Sequence, residues 1–470
     1  MPRVDTRREP MPKLEPSARR ETFEEVAVGY EQATAEHEAI RCILCPRQPC
    51  VGGCPVGVDI PQFVKALREK DMPAAVRILK SKNSLPGICG RVCPQESQCE
   101  RQCVIGKLGA PIAIGRLERY VADWEMAHGP IAAAAPTSSQ PSGKRVAVVG
   151  SGPAGLTASA DLVKSGHQVT IFESLHTPGG VLAYGIPEFR LPQRIVKSEV
   201  EYVCSLGVEL RLNWVVGKTI TIDEMLSDGY QAVFLGTGAG LPQFLNLAGE
   251  NYGGIYSANE FLTRINLMKA YLFPSYRTPI NIGQVVAVIG GGNVAMDSAR
   301  CALRSGAREV YLVYRRSRTE MPAREEEIEN ALEEGVIFKL LTNPRKFLGN
   351  DQGQVTGMEC VEMELGEPDQ SGRRRPVVKA GSEFVMKVDT VVVAVGTTPH
   401  PLVPSTTPGL TVSAHGTIAA DEESGLTTRP AVWAGGDATT GSATVISAMG
   451  AGRRAAAAID RYLREGIRPS

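Results

Sequence analysis

The chain has 470 residues, its 51 Lys and Arg balance its 51 Asp and Glu, and its hydrophobic share is 43%. This composition is typical of a globular protein of two to four domains, and it argues against non-specific nucleic-acid binding, which needs a cationic surface. No run approaches the ~18 apolar residues of a membrane span, and the charged, Pro-rich N-terminus lacks the apolar stretch of an export signal. We therefore expect a cytoplasmic protein with no nucleic-acid partner and no membrane span.

The N-terminal quarter of the chain predicts an arm followed by a helical domain. Residues 1–35 are predicted to form a flexible arm that packs against a partner, and residues 36–128 a helical, cysteine-rich domain. Asp59 and Asp71 are predicted to cap two of its helices, the first with one apolar face made of Ile60, Phe63, Val64 and Leu67. Residues 129–144, rich in Ala, Ser and Pro, are predicted to be a linker.

Eight of the eleven cysteines are concentrated in the helical domain. They form two groups: Cys42, Cys45, Cys50 and Cys54, then Cys89, Cys93, Cys99 and Cys103. Zinc sites usually pair Cys-x2-Cys with a second such pair or with histidines, whereas these spacings are uneven and two cysteines precede proline, as in ferredoxin-type loops. The pattern predicts two [4Fe–4S] clusters, with structural zinc or free thiols as the alternatives. Spacing leaves open whether each group holds its own cluster or the groups interleave. The remaining cysteines, Cys204, Cys301 and Cys360, are predicted to be buried small hydrophobes.

A first dinucleotide site follows the linker. A buried parallel strand at 145–150 runs into Gly-x-Gly-x-x-Gly, and the next strand, 167–173, ends in a carboxylate. The glycines permit the tight turn, the approach of a pyrophosphate and close packing of the helix, and the carboxylate accepts hydrogen bonds from ribose hydroxyls. The predicted binding residues are Gly150, Gly152, Pro153, Ala154, Gly155 and Glu173.

A second site of the same kind starts at the strand 285–290. Its turn and helix start contain Gly290, Gly292, Asn293, Val294 and Ala295. The strand 309–314 ends without an acid and is followed by Arg315 and Arg316. Because arginines hold a 2′-phosphate that a carboxylate would repel, we expect NADP(H) here. The alternative is an ordinary basic turn on the surface.

Near the C-terminus, a third buried strand is predicted at 390–396, and a Gly-Gly-Asp segment follows at 435–437. Gly436 and Asp437 are expected to form a second wall around a cofactor, with Asp437 reaching a ribityl hydroxyl or the phosphate region through water. The alternative is that Asp437 caps the following turn.

Together with VFLGTGAG at 233–240, these motifs resemble the flavoproteins that carry two dinucleotide-binding domains. More narrowly, the segments 41–64, 87–107, 114–124 and 178–192 resemble the NADPH-dependent glutamate synthase small subunit group. That group includes the large subunit of NADH-dependent ferredoxin:NADP oxidoreductase, whose branch the segment 90–107 resembles more closely, and the sulfide dehydrogenase alpha subunit. The resemblance spans residues ~36–465.

The resemblance implies an α/β fold in which a helical iron–sulfur domain precedes two Rossmann-like domains. FAD would be bound by residues 145–275 and 389–470, and NADP(H) by an inserted domain at 276–388. It also implies that the flavin is lined by Gly180, Val181, Leu182, Tyr184, Gly185, Ile186 and Gly238.

The resemblance also assigns ligands to two [4Fe–4S] clusters. Cluster 1 would be held by Cys42, Cys45, Cys50 and Cys103. Cluster 2 would be held by Cys54, Cys93, Cys99 and Glu118, with Cys89 left spare. The competing assignment makes Cys89 the fourth ligand of cluster 2.

The function implied is hydride exchange between NADP(H) and FAD, with single electrons passed through the clusters to or from a partner. The flavin carries the chemistry, so no catalytic side chain is nominated. Expected partners are electron-transfer subunits, such as an iron–sulfur flavoprotein linked to ferredoxin, and a complex of this type admits electron bifurcation. The alternatives are a glutamate synthase small subunit, or a stand-alone form of it, and a zinc-stabilised NADPH-binding sensor or scaffold.

Overall fold

The computed structural model describes residues 5–131, 141–369 and 372–466. Most of the predicted linker, residues 132–140, lies outside the described residues. The helices are α1 (Pro16–Arg19), α2 (Gln32–Ile40), α3 (Pro49–Gly52), α4 (Ile60–Arg68), α5 (Met72–Lys82), α6 (Pro86–Val92), α7 (Ile114–His128), α8 (Pro153–Lys164), α9 (Val181–Tyr184), α10 (Gln193–Ser205), α11 (Ile222–Ser227), α12 (Ala258–Asn266), α13 (Asn293–Arg304), α14 (Glu325–Glu333), α15 (Leu402–Ser405), α16 (Asp437–Thr440) and α17 (Val445–Glu465).

The strands are β1 (Arg145–Val149), β2 (Gln168–Phe172), β3 (Glu209–Arg211), β4 (Ala232–Leu235), β5 (Leu241–Pro242), β6 (Ile255–Ser257), β7 (Val285–Ile289), β8 (Glu309–Tyr314), β9 (Ile337–Leu340), β10 (Thr342–Gly349), β11 (Val355–Pro368), β12 (Arg374–Val378), β13 (Phe384–Met386), β14 (Thr390–Val393), β15 (Thr397–Thr398) and β16 (Val432–Ala434). Short 3₁₀ helices lie at Gln95–Ser97, Val104–Lys107, Ala270–Leu272 and Arg318–Glu320.

Helices α2–α7 form the cysteine-rich domain. The apolar face predicted for α4 is buried, and Asp71 caps α5 by accepting a hydrogen bond from the backbone N–H of Ala74 at 2.9 Å. The prediction that Asp59 caps α4 with its side chain is wrong, because its carboxylate accepts no cap bond. Helices α6 and α7 meet at Gly90, where a Cβ would lie 2.6 Å from the backbone nitrogen of Arg119. This close approach sets Cys89 of α6, and Cys93 directly after the helix, against α7.

The described part of the predicted arm packs against its own chain. The backbone N–H of Leu14 donates to the carbonyl of Val26, and the N–H of Val26 donates to the carbonyl of Phe189, both at 2.9 Å. The Phe23 ring stacks on Tyr271 with ring centroids 4.2 Å apart. Residues 5–30 are therefore ordered by contacts within the chain, where the sequence predicted flexibility.

The first sheet is parallel, with strand order β16-β4-β1-β2-β3. Its central strand β1 pairs with β2 on one side and β4 on the other, and its valines are buried as predicted. The carboxyl ends of parallel strands meet at one edge of a sheet. The predicted first dinucleotide site and the Gly-Gly-Asp segment therefore share that edge.

The second sheet is also parallel, with order β6-β14-β7-β8-β9, and an antiparallel unit of β10–β13 is inserted in the sequence between its strands β9 and β14. Strand β14 pairs with both β6 and β7. The predicted domain boundaries at 275/276 and 388/389 are therefore wrong, since β6 and β14 both belong to the second sheet. Within the described residues, none of the helices combines the length and apolar character that crossing a bilayer requires.

Candidate functional site

The glycines of the first fingerprint form an open cradle at the end of β1. Gly150 has φ +98°, and a Cβ there would lie 2.6 Å from the carbonyl oxygen of Gly236. Added Cβ atoms at Gly152 and Gly238 would meet no atom within 4 Å, so both glycines border open space. Gly155 allows α8 to pack on the turn, because its Cβ would overlap the carbonyl oxygen of Gly150. The cradle therefore fits a pyrophosphate at the start of α8.

Glu173 anchors this cradle through a residue that sequence reasoning missed. The Oε2 atom of Glu173 accepts from the Ser151 backbone N–H at 2.9 Å and from its hydroxyl at 2.6 Å. The Ser151 oxygen in turn accepts from the N–H of Gly179 at 2.9 Å, and Oε1 of Glu173 accepts from the N–H of Leu175 at 2.8 Å. The carboxylate orients the turn, and its remaining lone pairs suit ribose hydroxyls. Ser151 lies between Gly150 and Gly152 in the fingerprint, and nothing in the sequence indicated that it links Glu173 to Gly179.

The other predicted flavin-lining residues surround the same cradle. Gly180 lies against Gly152, its added Cβ 3.1 Å from the Gly152 Cα, and Gly436 lies against Ala154. Burial, and to a smaller extent the nearby charges of Asp437 and Glu173, raise the pKa of Tyr184 to about 12. Leu182 and Ile186 are buried, Val181 is partly exposed, and Gly185 packs on Val181.

Asp437 lies in this wall and is half-buried. Burial raises its pKa to about 6, although the backbone N–H of Ala443 donates to Oδ1 at 3.2 Å. This bond within the turn is expected from the alternative interpretation, in which Asp437 caps the turn that follows it. The raised pKa reflects a polar group that a cofactor hydroxyl would satisfy.

The second fingerprint repeats the geometry at the end of β7. Gly290 has φ +148°, and its Cβ would overlap the carbonyl oxygen of Ala394. The Cβ of a residue at 292 would find its nearest neighbour, Pro322, at 3.9 Å. Asn293 starts α13 and accepts a hydrogen bond from the N–H of Arg324 at 3.0 Å. Val294 is exposed and Ala295 is buried, so the helix start is open to a ligand.

The two predicted 2′-phosphate arginines have different surroundings. The Arg316 side chain is buried, and its guanidinium donates to Asp369 Oδ2 at 2.7 Å and to the carbonyl of Arg374 at 2.8 Å. Arg315 is exposed, and no hydrogen bond or ion pair joins it to the part of the chain that the structure describes. Of the two arginines predicted to bind the 2′-phosphate, only Arg315 is therefore available to a ligand. Arg316 instead holds the β11–β12 hairpin.

Four cysteines line a single cavity at the surface of the helical domain: Cys42, Cys45, Cys50 and Cys103. The rest of its wall is aliphatic and includes Ile60, Val64, Ile105 and Ile112. Burial, and to a smaller extent the neighbouring thiols, raise the pKa of Cys50 to about 12. The backbone turns around Cys45 through Leu44 and Gln48, both with positive φ, a conformation that costs energy and clusters at functional loops. A soft, thiol-only donor set in an apolar pocket fits an iron–sulfur cluster.

The remaining cysteines of the domain gather around Glu118. The pKa values of Cys54 and Cys99 are raised, first by burial and then in part by the charge of Glu118. Burial raises the pKa of Glu118 to about 8, and Asn83 Nδ2 donates to its Oε1 at 2.7 Å. Cys93 and the buried Cys89 adjoin the same group. The structure thus brings both competing fourth ligands, Glu118 and Cys89, to one place.

Neither set has the geometry of a single-ion site. Among residues 5–131, 141–369 and 372–466, no three His, Cys, Asp or Glu side chains converge on one ion position. In a four-iron cluster each ligand binds a different iron, so the donors stand further apart than those of one zinc ion.

Helix α17 joins the cysteine-rich domain to the first fingerprint. Met449 Sδ lies 3.5 Å from Cys89 Sγ, and a Cβ on Gly450 would lie 2.9 Å from the carbonyl oxygen of Pro55, next to Cys54. Two residues further, Gly452 packs on the carbonyl of Ala154 in the fingerprint. The predicted cluster 2 ligands and the dinucleotide cradle are therefore separated by one helix with small residues at both contacts.

A buried ionic network, which the sequence did not predict, joins the two dinucleotide sites. Arg190 lies near the end of the segment 178–192, which is predicted to run along the flavin, and donates to both oxygens of Asp297 on α13, at 2.8 and 2.6 Å. The Phe189 ring lies under the guanidinium groups of Arg300 and Arg304, at 4.5 and 4.0 Å. The network fixes the second fingerprint helix relative to the first site.

Family comparisons match this division of the chain. Residues 19–130 match the family described as dihydropyrimidine dehydrogenase domain II, 4Fe-4S cluster. Residues 144–452 match the pyridine nucleotide-disulphide oxidoreductase family. Fold and sites together define an oxidoreductase that combines a 4Fe–4S domain with a flavin and nicotinamide module.

Curated relatives narrow the class. The glutamate synthase [NADPH] small chain of Escherichia coli (strain K12) is 36% identical over 468 residues, covering 98% of each chain. The NADP(+)-dependent formate dehydrogenase subunit beta of Moorella thermoacetica is 43% identical over 439 residues, and the alignment covers 89% of this chain but only 60% of that subunit. The NADPH-Fe(3+) oxidoreductase subunit beta of Geobacter sulfurreducens is 37% identical over 443 residues, and the alignment covers 89% of this chain and 64% of that subunit. The chain belongs to the pyridine nucleotide-disulphide oxidoreductases and, within them, to the glutamate synthase small subunit-like group of NADPH-dependent iron–sulfur flavoproteins.

Solved structures show the same fold at low identity. FprA from Mycobacterium tuberculosis in complex with NADPH superposes with a TM-score of 0.58 at 22% identity, covering 69% of this chain and 85% of FprA. The thioredoxin reductase of T. acidophilum superposes with a TM-score of 0.50 at 21% identity, and the match covers 67% of this chain and 97% of the reductase.

Proposed function

We propose that this chain is the NADP(H)-binding subunit of a multi-subunit electron-transfer enzyme. It exchanges hydride between NADP(H) and FAD, and it relays single electrons through two [4Fe–4S] clusters to or from a partner subunit. The observation that carries the proposal is the position of α17, which contacts the flavin cradle at Ala154 and the cluster 2 group at Pro55 and Cys89.

The activities for which the relatives are named support a modular role. One acts with formate, one makes glutamate and one reduces Fe(3+), and NADP(H) is common to all three names. Two are called beta subunits and one a small chain. These names support a division in which the chemistry specific to each substrate resides in other chains or domains and the shared module handles NADP(H).

In this function the protein's residues bind and position the cofactors. Gly152 and Gly238 leave room for FAD, Glu173 and Asp437 supply acceptors for its hydroxyls, and Arg315 receives the 2′-phosphate of NADP(H). When bound, FAD accepts hydride as a pair and releases electrons singly to iron–sulfur clusters. Cys42, Cys45, Cys50 and Cys103 would hold cluster 1, and Cys54, Cys93, Cys99 and Glu118 would hold cluster 2.

The proposal is tested on the chain purified anaerobically from its native host. Metal and flavin analysis should find iron, sulfide and FAD, and NADPH should bleach the flavin absorbance and produce an electron paramagnetic resonance signal from reduced clusters. Zinc without iron or flavin would instead support the zinc-stabilised sensor. Flavin reduction that leaves both clusters oxidised at equilibrium would contradict the relay.

A second candidate, the glutamate synthase small subunit, is favoured by the match to the E. coli small chain along the full length of both proteins. The two functions differ in the companion chain. Co-purification with a large glutaminase subunit, and NADPH-dependent glutamate formation by that complex, would select this candidate. Companions that are smaller iron–sulfur or flavin subunits would select a ferredoxin-linked complex, in which coupled ferredoxin and NAD(H) turnover would demonstrate bifurcation.

A further inference from the structure

A cavity of about 200 Å³ lies where three parts of the chain meet, and its lining includes none of the fingerprint glycines and none of the cysteines. The N-terminal arm contributes Arg8, Met11 and Lys13, and the helical domain contributes Arg116 on α7. Helix α14, which lies between β8 and β9 in the sequence, contributes several residues, among them Glu329. The cavity is much larger than the space that one water molecule occupies, so it can hold a small organic molecule.

Most charged groups of this cavity are already in ion pairs. Arg8 pairs with Glu100 at 2.9 Å, and the other lining cations pair with carboxylates in the same way, with one exception. Each lining glutamate likewise has a cationic partner, again with one exception. In the part of the chain that the structure describes, the exceptions are Arg116, which has no carboxylate partner, and Glu329, which has no cation. The two charges left unpaired have opposite signs.

Arg116 is held in place with part of its hydrogen-bonding capacity unused. Its Nη1 donates to the carbonyl oxygen of Glu9 at 2.7 Å and to the hydroxyl oxygen of Tyr30 at 3.4 Å, and no other acceptor among the described residues contacts its guanidinium. The Nε atom of Arg8 is also buried without a hydrogen-bond partner in the described chain. Guanidinium donors that lack acceptors in a partly buried site fit a carboxylate, which binds them through charge-assisted bonds.

Glu329 supplies the opposite charge. Its side chain is exposed at the edge of the cavity, and it takes part in no hydrogen bond or ion pair with another described residue. An ionised carboxylate only accepts hydrogen bonds, so its fitting partner is a donor such as an ammonium group. A ligand that satisfies both unpaired groups therefore carries a carboxylate and an ammonium group.

We propose that this cavity, here called the arm cavity, binds a free amino acid as its zwitterion. Arg116 and the Nε atom of Arg8 bind the carboxylate, Glu329 accepts from the ammonium group, and Met11 contacts the side chain. An inorganic anion or a polyamine fits less well, because either leaves one of the two unpaired groups unsatisfied. The inference goes beyond the proposed function, since the amino acid is bound unchanged and takes no part in hydride or electron transfer.

An occupied arm cavity joins the arm, the helical domain and the domain of the second fingerprint. Arg324, which directly precedes α14, contacts both domains: its backbone N–H donates to Asn293 at 3.0 Å and its guanidinium donates to Gln95 at 3.1 Å. The bound amino acid therefore lies beside the contact that holds the second fingerprint against the helical domain. Because a ligand stabilises the state that binds it, occupancy should raise the melting temperature of the holoenzyme.

The test measures binding to the anaerobic holoenzyme with saturating NADP+ present, so that the nucleotide site is filled. Each standard amino acid is titrated in turn by calorimetry, with inorganic phosphate and putrescine as ligands of a single charge sign. The amino acid that binds most tightly is then compared with its α-amide, which lacks the carboxylate, and with its N-acetyl form, which lacks the ammonium group. The variants are Arg116→Gln and Glu329→Gln, and the matched controls are Arg277→Gln and Glu423→Gln, at exposed positions outside the cavity.

We expect at least one amino acid to bind, and we expect Arg116→Gln to raise its Kd about tenfold to a hundredfold, the effect of losing hydrogen bonds between charged groups. Glu329→Gln should raise the Kd about twofold to fivefold, because its carboxylate is exposed. The controls should bind like wild type. The α-amide should bind wild type and Arg116→Gln equally weakly, and the N-acetyl form should bind wild type and Glu329→Gln equally weakly.

Four results would overturn the inference: no binding of any standard amino acid, tighter binding of phosphate or putrescine, an equal loss in the controls, or an unchanged Kd in either cavity variant. A rise in melting temperature that is as large in Arg116→Gln as in wild type would also overturn it, by placing the ligand elsewhere. If Arg116→Gln does not fold, Glu329→Gln and the two derivatives of the amino acid still decide the question, because the exposed Glu329 side chain holds no neighbour in place.

Discussion

Replacing Arg315 with alanine separates the two arginines that follow β8. Arg315 is exposed at the end of that strand, where a dinucleotide-binding domain places the group that recognises the 2′ position of the ribose. Arg316 is adjacent in sequence, but its guanidinium is committed to Asp369 at 2.7 Å and to a backbone carbonyl. Arg315→Ala therefore removes an arginine from the position proposed to bind the 2′-phosphate, whereas Arg316→Ala removes one from an internal ion pair.

The expected magnitude follows from the bond that is lost. Hydrogen bonds to charged groups contribute about 1.5–3 kcal/mol, and 1.4 kcal/mol corresponds to a tenfold change in Kd. Arg315→Ala should therefore raise the Kd for NADP+ by about tenfold to a hundredfold. The Kd for NAD+, which lacks the 2′-phosphate, should change little.

The assay is equilibrium titration of the holoenzyme with NADP+ and NAD+, followed by stopped-flow bleaching of the flavin with NADPH and NADH. Arg316→Ala is the matched variant, and it should lower the thermal stability while keeping the ratio of the two dissociation constants. Loss of NADP+ preference in Arg316→Ala with its retention in Arg315→Ala would refute the assignment.

Three further predictions concern packing, metal ligation and pH. Gly452→Ala drives a methyl group into the carbonyl of Ala154, so we expect a loss of about 1–3 kcal/mol of stability and lower FAD content. Ala457→Gly, on an exposed position of α17, controls for helix propensity, and equal FAD content in both would contradict the packing argument. Cys89→Ala should retain the iron of both clusters while Glu118→Ala loses that of one, as measured by iron analysis; the opposite result would make Cys89 the fourth ligand. Burial raises the pKa of Glu199 from 4.5 to about 8, so the folded state holds this proton more tightly and stability declines as pH rises between those values. Glu199→Gln should reduce that decline, and parallel melting-temperature profiles for the two proteins would count against it.

Local patterns were sufficient where the physical cause is local. The strands before the two Gly-rich turns were predicted to within a residue, because a run of buried valines followed by glycine dictates strand and turn without distant contacts. The strand 309–314, rich in β-branched and aromatic residues, was predicted with the bounds it has. The capping role of Asp71 was likewise readable, since its partner Ala74 is three residues away. The equivalent prediction for Asp59 failed because the same residue type at a helix start does not by itself fix the side-chain conformation.

What lies far apart in sequence could not be predicted in this way. The three-residue strand β6 gives little periodic signal, so only its pairing with β14 shows that the second sheet begins at 255. The pairing of Arg190 with Asp297 spans 107 positions, and the contact between Cys89 and Met449 spans 360.

The sequence by itself determined the chemical inventory of this protein: eight clustered thiols, two glycine-rich turns, an acid after the first and arginines after the second. Only the tertiary structure decided which of these act together. It gathered four cysteines into one cavity and the other four of the helical domain around Glu118, and it placed Arg316 in an internal ion pair. It also placed one helix between the predicted cluster 2 ligands and the dinucleotide cradle. The physical reason is that residue type and spacing fix what a side chain can bind, whereas its distance from other groups depends on how separate helices and sheets pack.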